Sequence, residues 1–217
     1  MNLGAHIVVA AAAGRDEPAE RLGSALPDVA GMGRFRLNRG GGSWQSGTDG
    51  LGAGIQLHYR TDDLFHGHRW FVARQAEVHG DLAAAGFGRG PALACAHVGV
   101  ELLLDGVLLD DGSTSEVVHG AFAAIDDLRD PLGALVEPAS EADWQNHLTR
   151  FTGGAPVAGL DDPVEVAHRL QRILARRPRL AFAPRQVPRL VEVLAHRLPA
   201  VADGAHALVA DLAARLR

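Results

Sequence analysis

The chain has 217 residues, a net charge of −5 and 47% hydrophobic residues, a composition typical of a globular protein with one domain spanning 1–217. Aromatic residues make up only 5%, so Leu, Val and Ala must supply most of the core. An acidic chain lacks the basic excess of a nucleic-acid-binding surface, so no nucleic-acid partner is expected. All 21 basic residues other than histidine are arginines, which excludes lysine chemistry such as Schiff bases and P-loops.

Helical periodicity dominates and strand alternation is scarce, which predicts an all-α, single-domain bundle of about seven to ten helices. Predicted helices cover, in chain order, 1–13, 20–32, 51–65, 66–85, 91–110, 113–128, 140–151, 163–177, 184–197 and 199–216. Gly86 is a plausible C-terminal stop, and Ser113 with Glu116 forms a candidate capping box. Between the second and third helices, the glycine-rich loop 38–50 is predicted to be a mobile connection or a lid over a site.

The apolar run near the start of the chain, residues 7–13, bears on localisation. It is far shorter than the roughly 20 residues that span a bilayer. No arginine precedes Arg15, whereas a signal peptide begins with a positive segment. The lone Cys95 excludes an internal disulfide and a cysteine-rich zinc site, and it is interpreted as a small buried residue. We therefore predict a cytoplasmic protein with no membrane partner, and make no prediction of its oligomeric state.

Residues of the metal-ligand type recur at a spacing of four. They form two sets of three: His58, Asp62 and His66, then His97, Glu101 and Asp105. Residues four apart lie on one face of a helix, so each set presents imidazole and carboxylate groups from a single stripe. Two such stripes facing each other in a bundle core would form a site suited to Mn²⁺, Fe or Zn²⁺.

An alternative without a metal applies to each set. Glu101 and Asp105 fall in an otherwise apolar segment, where an unpaired buried charge costs several kcal/mol. A metal ion would offset that cost, but so would an arginine partner, with His97 as a hydrogen-bonded core residue. The first set has polar neighbours such as Arg60 and Asp63, so it is also compatible with a solvated helix face.

A third candidate site is basic. Arg176, Arg177 and Arg179 follow a predicted helix end. They are expected either to complement the negative end of the helix or to bind a phosphate group or an acidic partner.

Several segments match the motifs of a known family. Residues 1–6 (MNLGAH), 21–28 (RLGSALPD) and 54–62 (GIQLHYRTD) resemble its MNxxAH, LxGNxxxDF and GIxxHRxID motifs. His68 falls where the family often has the histidine of FTDxHP, and 101–108 (ELLLDGVL) and 176–180 (RRPRL) resemble two later segments. The chain thus resembles the acyl carrier protein phosphodiesterases, which are all-α enzymes related to the HD-domain phosphohydrolases.

The chain also departs from the family pattern. Gly106 stands where the family has His, His66 where it has Asp, Ser24 where it has Asn and Glu101 where it has Asp, while His97 is additional. One interpretation is a rearranged site, in which His66 and His97 supply ligands lost at position 106. The other is a decayed site. At positions 66 and 101, one kind of metal-binding residue replaces another, so we favour rearrangement.

The resemblance implies an HD-like bundle that hydrolyses the phosphodiester joining 4′-phosphopantetheine to a serine of acyl carrier protein, with Mn²⁺ as the metal and Fe or Zn as alternatives. The pool of metal ligands and acid–base groups comprises His6, Asp28, His58, Asp62, His97, Glu101 and Asp105. Either Asp28 or Asp62 would hold the attacking water, and His58 is a further catalytic candidate. Candidate substrate contacts are Arg60, His66, His68, Arg176, Arg177 and Arg179. The arginine-rich region 169–189 would face the acidic carrier protein.

Two alternative functions stay open. One is an HD-like phosphohydrolase acting on a nucleotide or another small phosphoester. The other is a non-catalytic helical protein that keeps the family's shape without its chemistry.

Overall fold

The computed structural model describes residues 1–38, 50–152 and 155–217. Across those ranges the regular structure is entirely helical, which confirms the all-α prediction. The α-helices, numbered α1 to α11 in chain order, are Leu3–Ala12, Pro18–Gly33, Gly50–His66, Arg69–Ala84, Arg89–Leu109, Gly112–Ala123, Arg129–Gly133, Glu141–Leu148, Pro163–Leu174, Val187–Ala202 and Ala205–Leu216. The described ranges also hold three short 3₁₀ turns, Pro138–Ser140 before α8, Ala155–Val157 between α8 and α9, and Pro184–Gln186 before α10. Most of the loop predicted at 38–50, including its possible action as a lid, lies outside the described residues.

Eleven helices in the described ranges exceed the predicted seven to ten by one. The extra element is α7, a five-residue helix in a stretch that shows no periodicity of its own. The helix predicted over 113–128 ends earlier, at Ala123. Its N-cap is Asp111, whose side chain accepts hydrogen bonds from the backbone N–H groups of Ser113 and Thr114, so the capping box predicted at Ser113 is wrong by two residues.

The boundary between the last two helices was predicted before Pro199 and is corrected by the structure. Helix α10 runs through Pro199 to Ala202, and the chain turns at Gly204, which has a φ of 81°. A proline inside a helix removes one hydrogen bond, but packing of the α10 core residues Leu190, Leu194 and Val201 holds the helix together across it. The turn falls at the glycine because a positive φ costs it no steric clash.

Helix α1 lies at the centre of the bundle and contacts α2, α3, α5, α6 and α11. Every residue from Leu3 to Ala10 is buried, including the imidazole of His6. One connected hydrophobic core runs through these helices, built mainly from Leu, Val and Ala as the composition predicts. A polar group on α1 is therefore surrounded on all sides by other helices.

Helix α5 is long and apolar enough to cross a membrane by length and composition, and it is the one helix in the described ranges that passes this test. Two thirds of its most apolar window is buried inside the bundle, and it carries Glu101 and Asp105 in buried positions. It is therefore the core helix of the bundle, which is compatible with a soluble protein.

Helices α2 and α3 approach each other closely at two glycines. A Cβ on Gly54 would lie 2.2 Å from the carbonyl oxygen of Glu20 and 2.7 Å from the Cα of Gly23. A Cβ on Gly23 would lie 2.4 Å from the carbonyl oxygen of Leu51. Only residues without a side chain permit this crossing, and it brings the backbone of α2 against the next turn of α3, where His58 lies.

Candidate metal centre

A first group of potential metal ligands joins α1 to α3. It consists of His6, His58 and Asp62, each of which offers one ligand atom within 4.8 Å of the others. The Nε2 atom of His6 lies 3.3 Å from Oδ1 of Asp62, and Nε2 of His58 lies 3.6 Å from Oδ2 of the same carboxylate. Both imidazoles are buried, whereas Asp62 is 30% exposed. The group is thus a buried pair of imidazoles with a carboxylate that reaches solvent.

The orientation of His58 is fixed by the helix crossing. Its Nδ1 atom lies 2.8 Å from the carbonyl oxygen of Ser24, next to the close contact at Gly23. A carbonyl can only accept, so Nδ1 carries the hydrogen and donates it. Nε2 is then unprotonated and points toward Asp62, the arrangement by which metal-binding histidines are usually held.

His6 has no hydrogen-bond partner for either ring nitrogen among the described residues, although its side chain is fully buried. Its ring stacks on that of His58 with 4.0 Å between centroids. Leaving a buried polar nitrogen unsatisfied costs about 1–3 kcal/mol. A cation bound between His6, His58 and Asp62 would satisfy Nε2 of His6 and remove this cost.

Asp28 on α2 lies at the edge of the first group. Its Oδ2 atom is 3.8 Å from Nε2 of His6 and has no hydrogen-bond partner in the described residues, while the side chain as a whole is 31% exposed. Asp28 therefore places a buried, unpartnered oxygen against His6, while the rest of its side chain reaches solvent.

A second group of potential ligands joins α3 to α5. It consists of His66, His97 and Glu101. The Nε2 atoms of His66 and His97 converge on the same oxygen, Oε1 of Glu101, at 3.3 and 3.2 Å. The two imidazole rings are stacked, with centroids 5.1 Å apart. Helix α3 thus contributes His66 from its predicted stripe, and α5 contributes His97 and Glu101 from its own.

The two groups are adjacent. Nδ1 of His66 lies 3.0 Å from the carbonyl oxygen of Asp62 and 4.0 Å from its Oδ1. The ammonium of Met1 lies between the groups, 2.8 Å from Oδ1 of Asp62 and 3.2 Å from Oε1 of Glu101. A positive charge is therefore held between a carboxylate of each group.

Burial and these contacts shift the pKa values in opposite directions. Burial opposes ionisation of Asp62 and Glu101, but nearby imidazoles and the Met1 ammonium outweigh it, so the pKa of each carboxyl lies well below its usual range. Burial lowers the pKa of His6 to about 3 and raises that of Asp28 to about 7. The centre is thus built of neutral imidazole on its buried side and ionised carboxylate around the position of the ammonium.

Asp105, the third member of the predicted α5 stripe, is in neither group. Its carboxylate accepts hydrogen bonds from the Asn2 side chain at 2.8 Å and from the backbone N–H groups of Gly4 and Ala5 at 2.9 and 2.8 Å. It therefore caps the N-terminus of α1, where unpaired N–H groups favour a negative charge. Asp105 is not brought together with either group, because helix α1 meets it one turn beyond Glu101, and its role as a ligand stays a prediction.

His68, predicted as a substrate contact, belongs to neither group. It is the N-cap of α4, where its Nδ1 accepts from the backbone N–H of Trp70, and its Nε2 lies 3.3 Å from Asp211 on α11. This role joins α4 to the C-terminal helix.

The predicted arginine contacts are all exposed. Arg60 lies on α3 between His58 and Asp62 in sequence, with its side chain directed to solvent. Arg176, Arg177 and Arg179 follow α9. The carbonyl oxygen of Arg179 lies so close to Gly90 that a Cβ there would approach it to 2.7 Å, which places this basic segment at the N-terminal end of α5.

Gly106, which departs from the family histidine, packs against backbone. A Cβ at this position would lie 2.1 Å from the carbonyl oxygen of Leu160. A histidine does not fit there while the 157–161 segment keeps its position. The glycine is therefore a packing requirement of this chain, and the ligand-type residues lie on α3 and α5 instead.

Three contributors to the centre were missed by the sequence analysis. They are the amine of Met1, the Ser24 carbonyl that orients His58, and Gln75, whose Nε2 lies 3.5 Å from Nδ1 of His97. The first two are main-chain groups, and the sequence specifies side chains only, so nothing in it indicates their part in the centre. Gln75 lies on α4, outside both stripes, so only the packing of α4 on α5 reveals it.

Comparison with known proteins adds no identification. No protein-family model, curated protein or solved structure matches the chain. The described structure by itself therefore defines a helical bundle with two adjacent imidazole–carboxylate groups that could each hold a metal ion.

Proposed function

We propose that the protein is a metal-dependent phosphodiester hydrolase. The observation that carries the proposal is the first ligand group: the buried imidazoles of His6 and His58 place Nε2 at 3.3 and 3.6 Å from the Asp62 carboxylate, and neither nitrogen of His6 has a hydrogen-bond partner among the described residues. A purely structural role for these residues would leave an imidazole unsatisfied in the core. A phosphate ester is favoured because Arg60 is exposed on α3, the helix that carries His58 and Asp62, and because a second group of exposed arginines lies at the N-terminal end of α5.

The residues fit a divalent cation with mixed nitrogen and oxygen ligands. His6, His58 and Asp62 would hold it, and the ammonium found beside Asp62 marks a position where the protein already stabilises positive charge. Mn²⁺ is the metal that the family resemblance favours, with Fe or Zn²⁺ compatible with the same ligands. When bound, such an ion polarises a phosphoryl oxygen and makes water more acidic.

Asp28 is the proposed general base. Its side chain is 31% exposed as a whole, which would give a water molecule and a phosphodiester access to the carboxyl group, while its Oδ2 is buried 3.8 Å from Nε2 of His6. Asp28 would accept a proton as the water oxygen forms a bond to phosphorus. The bond from phosphorus to the leaving oxygen breaks, and that oxygen takes up a proton to leave as an alcohol.

The proposed substrate, by the resemblance, is holo-acyl carrier protein. Hydrolysis would release 4′-phosphopantetheine and restore the serine hydroxyl of the carrier. Arg60 would neutralise the phosphate at the mouth of the site, and the basic segment with Arg176, Arg177 and Arg179 would contact the acidic surface of the carrier.

Metal content is the first test. Wild-type protein loaded with Mn²⁺ and passed through a desalting column is analysed by elemental mass spectrometry beside His58→Asn and Asp62→Asn variants. Bound manganese that falls in both variants supports the proposal. The control is His119→Asn, which alters an exposed histidine on α6 whose Nδ1 contacts Ser115 one turn earlier. Wild-type protein that retains no metal would overturn the proposal.

Substrate assays then separate the alternatives. The loaded protein is incubated with bis(p-nitrophenyl) phosphate and with holo-acyl carrier protein, whose conversion to the apo form is followed by intact mass. Cleavage of both supports the carrier-protein reaction. Cleavage of the small diester alone supports a phosphohydrolase on another substrate. Metal binding with neither cleavage identifies a non-catalytic metal protein and overturns the enzyme proposal.

A further inference from the structure

The second ligand group, His66, His97 and Glu101, has no part in the proposed reaction and yet meets the same criteria as the first. Two imidazole Nε2 atoms converge on one carboxylate oxygen across α3 and α5, at 3.3 and 3.2 Å. Glu101 lies in a segment that is otherwise apolar, and its side chain is only 12% exposed. The Met1 ammonium contacts the same oxygen at 3.2 Å, so three nitrogen atoms converge on Oε1 of Glu101.

The ring of His66 is held in a fixed orientation by its own helix. Its Nδ1 lies 3.0 Å from the carbonyl oxygen of Asp62, one helical turn earlier, so Nδ1 carries the hydrogen. Nε2 is thereby directed at Glu101. This repeats the arrangement of His58, whose Nδ1 is held by the carbonyl of Ser24. Two histidines on the same helix are thus each fixed by a main-chain carbonyl with Nε2 directed at a carboxylate.

The distance between the groups is short enough for a shared centre. A single nitrogen, that of Met1, contacts Asp62 at 2.8 Å and Glu101 at 3.2 Å, so the two carboxylate oxygens are no farther apart than those two distances combined. Oδ1 of Asp62 also lies 4.0 Å from Nδ1 of His66. Paired metal ions in phosphoesterases lie about 3.5–4 Å apart with a ligand between them.

We propose that His66, His97 and Glu101 hold a second divalent ion, and that Asp62 lies between this ion and the one in the first group, so that the centre is dinuclear. This proposal rests on the proposed function, since it adds a second ion to the same site. Two ions around one phosphodiester would stabilise both the attacking and the leaving oxygen. The second site draws on His66 and His97, the two imidazoles by which the chain departs from the family pattern.

The experiment measures manganese stoichiometry and magnetic coupling. Wild-type protein and the variants His97→Asn, Glu101→Gln and His58→Asn are titrated with Mn²⁺, and bound metal is counted and examined by electron paramagnetic resonance. We expect two ions and a spin-coupled signal in wild type. Each second-group variant is expected to keep one ion and to show the signal of isolated Mn²⁺. His97 is 38% exposed, so its substitution is not expected to prevent folding, and circular dichroism verifies this.

Each other outcome has a definite meaning. One ion in wild type, lost in His58→Asn and kept in His97→Asn, overturns the second site and leaves the proposed function in place. Two ions without spin coupling overturn the shared centre. No ion in wild type overturns the proposed function and this inference together. His119→Asn is the matched control and should behave as wild type in every measurement.

Discussion

The Cα of Gly23 lies 2.7 Å from the position that a Cβ on Gly54 would occupy, so α2 and α3 cross with almost no space between their backbones. This contact determines where Ser24 meets His58 and hence which ring nitrogen of His58 is free. Both glycines belong to the sequence segments that carry the family resemblance. The packing of two helices is thus directly coupled to the orientation of a proposed metal ligand.

Substitution of Gly54 by alanine is expected to destabilise the fold and weaken metal binding together. The added methyl would overlap the carbonyl oxygen of Glu20, and overpacking of this kind costs about 3 kcal/mol. Urea unfolding measures the free energy and elemental analysis measures bound Mn²⁺. Gly80→Ala is the control, because Gly80 lies within α4 and nothing is within 4 Å of a Cβ there. That variant should gain up to about 1 kcal/mol from helix propensity. Equal behaviour of the two variants would contradict the crossing argument.

Asp105→Ala is expected to lower stability without changing the number of bound ions. The substitution leaves the Asn2 amide and the N–H groups of Gly4 and Ala5 without their acceptor. The expected cost is about 3 kcal/mol, since each unsatisfied buried donor costs about 1–3 kcal/mol and part of this is relieved by water. Asp162→Ala, which removes the exposed N-cap of α9, should cost only about 1 kcal/mol. Loss of an ion from folded Asp105→Ala protein would instead establish Asp105 as a ligand.

Asp105 also shows which part of the site the sequence could predict. The spacing of four correctly placed His58, Asp62 and His66 on one face of α3 and His97 with Glu101 on one face of α5, because helical periodicity is a local property. Asp105 follows the same period. Its role is decided by the N-terminus of α1, which is about one hundred residues away in the chain and enters only through tertiary packing.

The fold was predictable to a similar extent. The existence of the helices followed from periodicity. Asp162 begins α9 as its N-cap, and Gly86, with a positive φ, follows the end of α4, as the local chemistry of each residue indicates. Pro199 misled the prediction because a proline usually starts or breaks a helix, whereas here core packing on both sides keeps α10 continuous. Gly106 could not be interpreted from sequence, since the backbone that it contacts, at Leu160, belongs to a distant turn.

The ion pair between Asp81 on α4 and Arg197 on α10 predicts a pH dependence of stability. Arg197 donates to both carboxylate oxygens, at 2.6 and 2.9 Å, and lowers the pKa of Asp81 below its ordinary 3.8. A lowered folded-state pKa gives stability that is complete above pH 3.8 and is lost as the pH falls through the folded-state pKa. Because both side chains are partly exposed, the contribution is expected to be below about 1 kcal/mol.

Asp81→Asn measures that contribution. The variant should be less stable than wild type at pH 7, and the difference should shrink toward zero in strong acid, as followed by urea unfolding of metal-free protein. Salt should reduce the difference at pH 7, because screening weakens a partly exposed pair. A difference that is independent of pH would show that Asp81 acts through packing alone.

Bound metal is expected to raise the melting temperature. A ligand present at a hundred times its dissociation constant stabilises the folded state by about 2.7 kcal/mol. For a chain of this size that corresponds to a rise of roughly 5–10 °C. Differential scanning fluorimetry with Mn²⁺ and with EDTA measures the shift. His58→Asn should show a much smaller rise, and His119→Asn the full one. A full rise in His58→Asn would place the stabilising ion elsewhere.

The basic segment after α9 is expected to contribute to carrier-protein binding and not to the chemical step. Arg176, Arg177 and Arg179 are exposed, so replacing all three by glutamine should leave the fold intact. Loss of three interfacial charges should raise KM for holo-acyl carrier protein about tenfold, which corresponds to about 1.4 kcal/mol. The value of kcat and the cleavage of bis(p-nitrophenyl) phosphate should stay unchanged.

The control for that experiment removes the same number of charges elsewhere. Arg34, Arg36 and Arg150 are also exposed and lie after α2 and after α8. If binding responds only to net charge, both triple variants will lose affinity equally. If the segment after α9 is the docking surface, only its own variant will lose affinity, and the difference will diminish at high salt because it is electrostatic. Equal KM values in wild type and both variants would remove the segment from the proposed interface.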